Sequence, residues 1–127
     1  MALVNAGRNF IANAIINNGP PNHFDNTGAW IGVGNGSGAV TAAQTDLLGT
    51  SSDRKGMTGT YPTIATNVLT FKSSFNDDSS QFTWNEWGVF NGSTAGTMLS
   101  RKAESLGAKG AGQTWDFTVT LTVNIGT

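Results

Sequence analysis

Between Trp115 and Ile125 every second residue is apolar: Trp115, Phe117, Val119, Leu121, Val123 and Ile125 alternate with Asp116, Thr118, Thr120, Thr122 and Asn124. A period of two places the whole apolar set on one face of a strand, whereas a helix would scatter it around its axis. The segment therefore demands a β-strand with one buried face, and that face demands a second layer to cover it. The opposite face is a row of threonines, which suit a strand and pair across it.

Neighbouring segments supply partners. Gln81–Asn91 reads as a strand with Phe82, Trp84, Glu86, Gly88 and Phe90 on one face and Thr83, Asn85, Trp87 and Val89 on the other. Asn67–Phe75 and Thr97–Ser105 read as further strands, and Arg54–Thr60 as a weaker one. Asn76–Ser80 and Asn91–Ser93 have turn composition, and Gly107–Gly112 is a Gly-rich loop. Upstream, 29–33 predicts a short buried strand followed by a loop at Gly34–Gly38. Thr41 with Gln44 three positions later forms a capping-box pattern and predicts one or two helical turns over 42–48.

Leu3, Phe10, Ile11, Ala14 and Ile15 recur at helical spacing, predicting a helix over 3–17, stopped by Asn17-Asn18-Gly19-Pro20-Pro21. Short connections between successive strands favour antiparallel pairing. The expected fold is mainly β: an antiparallel β-sandwich or jelly-roll-like domain with an N-terminal helix. The 127 residues read as a single domain, with helix and arm over 1–28 and the β-domain over 29–127.

Charge narrows the partners. The net charge is −1 and charged residues make up 12%, about half the usual share. A surface of Asn, Ser, Thr and Gly has weak long-range fields and does not suit gripping a nucleic-acid backbone. It does suit packing against other subunits. No cysteine is present, which excludes disulfides, thiolate zinc sites and a Cys nucleophile. The first residues lack a basic stretch followed by an apolar run, and no apolar run approaches the ~20 residues of a membrane span. The expectation is a soluble protein with no nucleic-acid and no membrane partner.

Residues that carry chemistry are few. His23 is the lone histidine and lies near Asp25, but a metal centre or catalytic pair needs more groups than these. Gly34–Ala39 formally fits a dinucleotide fingerprint, yet no α/β alternation follows it. Asp77-Asp78 offers hard oxygens without the spacing of a calcium loop. Glu86 and Glu104 fall on separate strands, with nothing to single them out as an acid–base pair. The expectation is no catalytic, cofactor-binding or metal residue, and no cofactor.

Glu86 shares a strand face with Phe82, Trp84 and Phe90, so it needs a cationic partner, and Arg101 or Arg54 can supply one. A structural ion pair is preferred over a tuned catalytic carboxyl. If Trp84 packs inward, Trp87 points the other way; exposed, it is with Trp30 a candidate interface residue or a sugar-stacking platform, and burial between two sheets is the equal alternative.

Taken together, Trp30–Gly36, Thr41–Leu47, Arg54-Lys55-Gly56, Asn85–Asn91, Met98–Arg101 and Thr118–Ile125 occur in an order similar to that of small structural proteins in the heads and tails of tailed bacteriophages. The resemblance covers residues 29–125. It implies a non-enzymatic virion protein, assembled in the host cytoplasm, in which Glu86 and Arg101 are framework residues. Short length without coiled or repeated shafts favours a capsid decoration, or cement, protein over a fibre. Such a protein would form a homo-oligomer and bind the major capsid protein or other virion proteins. The N-terminal helix, with Phe10 and Ile11, or the Pro20-Pro21 arm would be its clamp, and the Thr-faced β-domain would supply the contact surface, with Trp30 and Trp87 as further candidate interface residues. The alternative is a tail or tail-fibre component with a receptor- or carbohydrate-binding β-module.

Overall fold

The alternating C-terminal segment forms a strand over Trp115–Thr122 that pairs antiparallel with Val68–Phe75 in an unbroken register, Phe75 opposite Trp115 and Val68 opposite Thr122. This pairing is seen in a computed structural model that describes residues 2–19 and 22–124. In chain order the elements are β1 (Ala2–Leu3), α1 (Asn5–Ile15), β2 (Trp30–Gly34), β3 (Ser52–Gly56), β4 (Thr63–Ala65), β5 (Val68–Phe75), a short 3-10 turn (Asp78–Ser80), β6 (Thr83–Phe90), β7 (Met98–Ala108) and β8 (Trp115–Thr122). Two antiparallel sheets result, one ordered β1-β7-β6-β2-β3 and the other β4-β5-β8. The protein is mainly β, a sandwich of two antiparallel sheets with an N-terminal helix.

The main core lies between the sheets. Ile31, Val33, Trp87 and Val89 of the larger sheet face Phe71, Phe75, Val119 and Leu121 of the smaller one. Aromatic edges lock the layers: Trp84 meets Phe75 and Trp115 at 4.9 Å, and Trp87 meets Phe117 at 5.5 Å. The larger sheet is covered on its other face too, where Val4, Phe90 and Met98 form a second cluster with Trp30 and Leu47. Burial on both faces explains why Trp30–Gly34 reads as continuous apolar and glycine residues rather than an alternation.

Helix α1 docks on β7 through Gly7, where an added Cβ would collide with the Leu99 carbonyl. Its end is a Schellman motif: Asn18 N–H donates to the Asn13 carbonyl, Asn17 N–H donates to the Ala14 carbonyl, and Asn17 takes a left-handed φ of 52°. Asn17, rather than Gly19, supplies the left-handed residue of the stop.

Several expectations need correction. Residues 42–48 form a turn and extended loop, not a helix. Only half of the capping box forms, with Thr41 N–H donating to Gln44 Oε1 at 3.1 Å. The backbone beyond it is drawn instead to a buried carboxylate, described below. The strand expected over 54–60 is shifted upstream to Ser52–Gly56, and the one expected to end at Ser105 continues to Ala108. The two-residue β1 and three-residue β4 are too short to carry a periodic signal. Strand β8 is described to Thr122, and Ile125 lies outside the described residues.

Trp87 is the clearest correction. It is buried in the main core beside Trp84, and offers no exposed interface. Simple alternation puts these two residues on opposite faces. The β6–β7 register breaks between Trp84 and Glu86, which pair with Gly107 and Ala103. The alternation of β6 is interrupted at this irregularity, and both indoles join the main core.

Candidate functional site: a buried carboxylate clamp and the surfaces it supports

Glu86 points away from the main core, beneath the segment that joins β2 to β3. Its cross-strand neighbour on β2 is Gly34, where a Cβ would lie 2.6 Å from Oε2. That missing side chain makes room for the carboxylate. Three backbone amides close on it: Gly36 N–H at 2.9 Å and Gly49 N–H at 2.6 Å donate to Oε2, and Leu48 N–H at 2.8 Å donates to Oε1. Arg101 Nε donates to Oε1 at 2.9 Å, and both side chains are fully buried. Arg101 Nη1 continues the network to the Gly38 carbonyl at 3.0 Å and Gln44 Oε1 at 3.3 Å. Gln44 Nε2 then donates to the Ala39 carbonyl.

The structure thus brings Glu86 and Arg101 together and uses them to hold the 35–49 segment against the sheet. Both carboxylate oxygens are occupied by these donors. Gly36 N–H, which a bound phosphate would need, is one of those donors. The glycine run after β2 is therefore a lid over Glu86. Sequence reasoning found the ion pair but missed the three amides and Gln44, because backbone donors leave no residue-type signature. Gly34, Gly36 and Gly49 were the available trace.

Arg54 holds a neighbouring turn. Its guanidinium stacks 3.5 Å over the Phe90 ring and donates to the Gly92 and Ala95 carbonyls, both at 2.8 Å, and to Asp46 at 3.2 Å. Burial pulls its pKa down, and Asp46 opposes this.

The remaining candidates sit apart. His23 is exposed, its ring 6.2 Å from Phe10, while the Asp25 carboxylate accepts from Gly28 N–H at 2.8 Å and from the Thr27 hydroxyl. Those bonds, the Gly28 amide foremost, hold the Asp25 pKa low and close a local turn. With half-buried Trp30 and buried Asn91 they border a polar recess of about 400 Å³. Asp77 accepts from Lys55 Nζ at 2.5 Å and from the Ser79 hydroxyl at 2.6 Å. An ammonium thus occupies the place considered for a calcium ion. Glu104 pairs with Lys102 at 2.7 Å.

Phe10 and Ile11 are half-buried. Phe10 packs edge-on to Phe24 at 4.9 Å, and Ile11 packs against the main core. The strongly exposed apolar residues near the helix end are Ile15 and Ile16, at 79% and 70%. Pro20 and Pro21 lie outside the described residues. Among the described residues no helix is long and apolar enough to cross a membrane.

No protein-family model matches the chain. No curated protein matches it either.

Proposed function

We propose that this is a non-enzymatic structural protein of a tailed-phage virion, a capsid decoration protein that binds and stabilises the lattice of the major capsid protein as a homo-oligomer. The observation that carries the reading is where the residues of the phage resemblance fall. Trp30–Gly36, Thr41–Leu47, Asn85–Asn91 and Met98–Arg101 all converge on the Glu86–Arg101 clamp. The residues best equipped for chemistry are engaged in rigidity, and what faces outward on the smaller sheet is mostly threonine and weakly charged. The outer face of β8 carries Thr118, Thr120 and Thr122, each exposed. A stiff, weakly charged β-surface is suited to extensive contact with other subunits.

The reading is tested on particles that lack the protein. Such particles should lose infectivity at a lower temperature, and adding purified protein should restore the original resistance by mass action. Equal heat resistance with and without the protein would overturn it.

A tail component that binds a receptor or carbohydrate is the second reading. It is favoured by the polar recess of Trp30, His23, Asp25 and Asn91, where a half-buried indole lies beside several hydrogen-bonding groups. On a glycan array this reading expects binding that Trp30→Ala abolishes. An array without signal, together with absence from tails, rules it out.

A further inference from the structure

The described sheets end in four strands, and three of these ends are short or guarded. β1 has two residues and β4 has three. β3 presents Asp53, Arg54 and Lys55, and it is tied to the smaller sheet by Ser73 Oγ, which donates to the Lys55 carbonyl at 3.0 Å. β8 differs: it runs for eight residues without Lys, Pro or bulge, and among the described residues it pairs only with β5. Proteins commonly blunt an edge of this kind, because its unpaired N–H and C=O groups template another strand.

The direction of those groups follows from one bond. Val123 N–H donates to the Asn67 carbonyl on the β5 side at 2.9 Å, and Asn67 Nδ2 donates to the Val123 carbonyl at 2.8 Å. By strand alternation, residues 116, 118, 120 and 122 aim their N–H and C=O groups at the free edge.

The geometry points to β8 as a self-association edge, on which a second copy of this chain pairs antiparallel about a two-fold axis at Val119, joining two three-stranded sheets into one. That register is self-complementary. On the inner face Phe117 meets the partner's Leu121, and Trp115 meets the partner's Val123. On the outer face Thr118 meets the partner's Thr120, and Asp116 meets the partner's Thr122. Aromatic–aliphatic and Thr–Thr pairs are the favourable cross-strand kinds, and no like charges oppose. The residues aimed at the edge are the ones that pair narrowly in this register, giving about eight backbone hydrogen bonds.

Two grooves beside the edge fit the same partner. One, of about 340 Å³, is bordered by Trp84, Leu106, Trp115 and Phe117. The other, of about 300 Å³, is bordered by Leu3, Ile11, Leu121 and Val123, with Arg8 at its rim. The register carries the partner's Trp115 to the second groove, and brings the partner's Asp116 to the end of the edge where Arg8 lies. Val123, 61% exposed alone, would be covered. This deepens the assembly reading by naming the surface where two copies meet, but it rests on the edge itself.

The test uses charge exchange on the outer face. Thr118 and Thr120 oppose each other across the two-fold, so T118K/T120K repels its own copy and so does T118E/T120E. Mixed, the two variants attract. Light scattering should give a dimer mass for the wild-type chain at high micromolar concentration, a monomer mass for each variant alone, and a dimer mass for the equimolar mixture. Near-UV circular dichroism of each variant checks the fold, and Thr120→Pro, whose missing N–H is one aimed at the edge rather than at β5, should also be monomeric. A wild-type monomer up to millimolar concentration, a persistent dimer in T118K/T120K, or a monomeric mixture of folded variants would each overturn the proposal. A monomeric wild type that still protects particles from heat would sink this edge and leave the decoration reading standing.

Discussion

Four donors converge on the Glu86 carboxylate, one guanidinium and three amides, and they are not equivalent in what their loss would do. Glu86→Gln removes the charge while leaving Arg101 buried, and should cost about 3–5 kcal/mol in urea unfolding. Replacing both partners, as in E86M/R101M, often recovers stability at a buried pair. Here it should not, because Gly36, Leu48 and Gly49 would each keep an orphaned N–H, at about 1–3 kcal/mol apiece. A double variant as stable as wild type would show that the amides contribute little. At the surface, the Lys55 hydrogen bond and then the Ser79 hydroxyl lower the Asp77 pKa from 3.8 to about 2. A carboxyl with a depressed folded-state pKa contributes stability that is present above 3.8 and lost as pH falls through about 2. Asp77→Asn should therefore flatten the acid limb of the stability curve in that window and leave the neutral region little changed. An unaltered limb in a pH series of thermal melts would contradict this.

Elements were legible where one periodicity dominated. β8 announces itself by strict alternation, and β5 and the N-terminal helix by composition and spacing. The 42–48 segment reads as helix locally, but Leu48 and Gly49 direct their amides to Glu86 on a distant strand. A tertiary acceptor outweighed the local capping pattern. Trp84 and Trp87 share the main core because the alternation of β6 is interrupted at the irregularity between Trp84 and Glu86, and such an interruption leaves no mark in a single strand's pattern. The Glu86–Arg101 pair was legible because a charge among aromatic residues requires a partner, whereas its amide donors were not. Helix docking gives a test at this scale. Gly7→Ala would press a methyl group into the Leu99 carbonyl and should cost about 1–3 kcal/mol, with amide exchange rising first in Asn5–Ile15. Unchanged exchange in the helix would mean that Gly7 is not its anchor.

At the scale of the whole molecule, rigidity and surface character belong together. The larger sheet is buried on both faces, the joining segment is clamped from beneath by Glu86, and Arg54 pins the turn after β6. The outer face of β8 carries threonine, and among the described residues its long edge is unguarded. These properties suit the proposed role of a part that holds position among other subunits, as decoration of a shell requires. For the proposed decoration role, the most direct measurement is the copy number of this protein in purified phage particles, by quantitative mass spectrometry against the most abundant shell protein. Decoration of the lattice predicts a ratio close to one or to a simple fraction of one. A count of a few copies per particle would contradict it, and would move the protein to the tail.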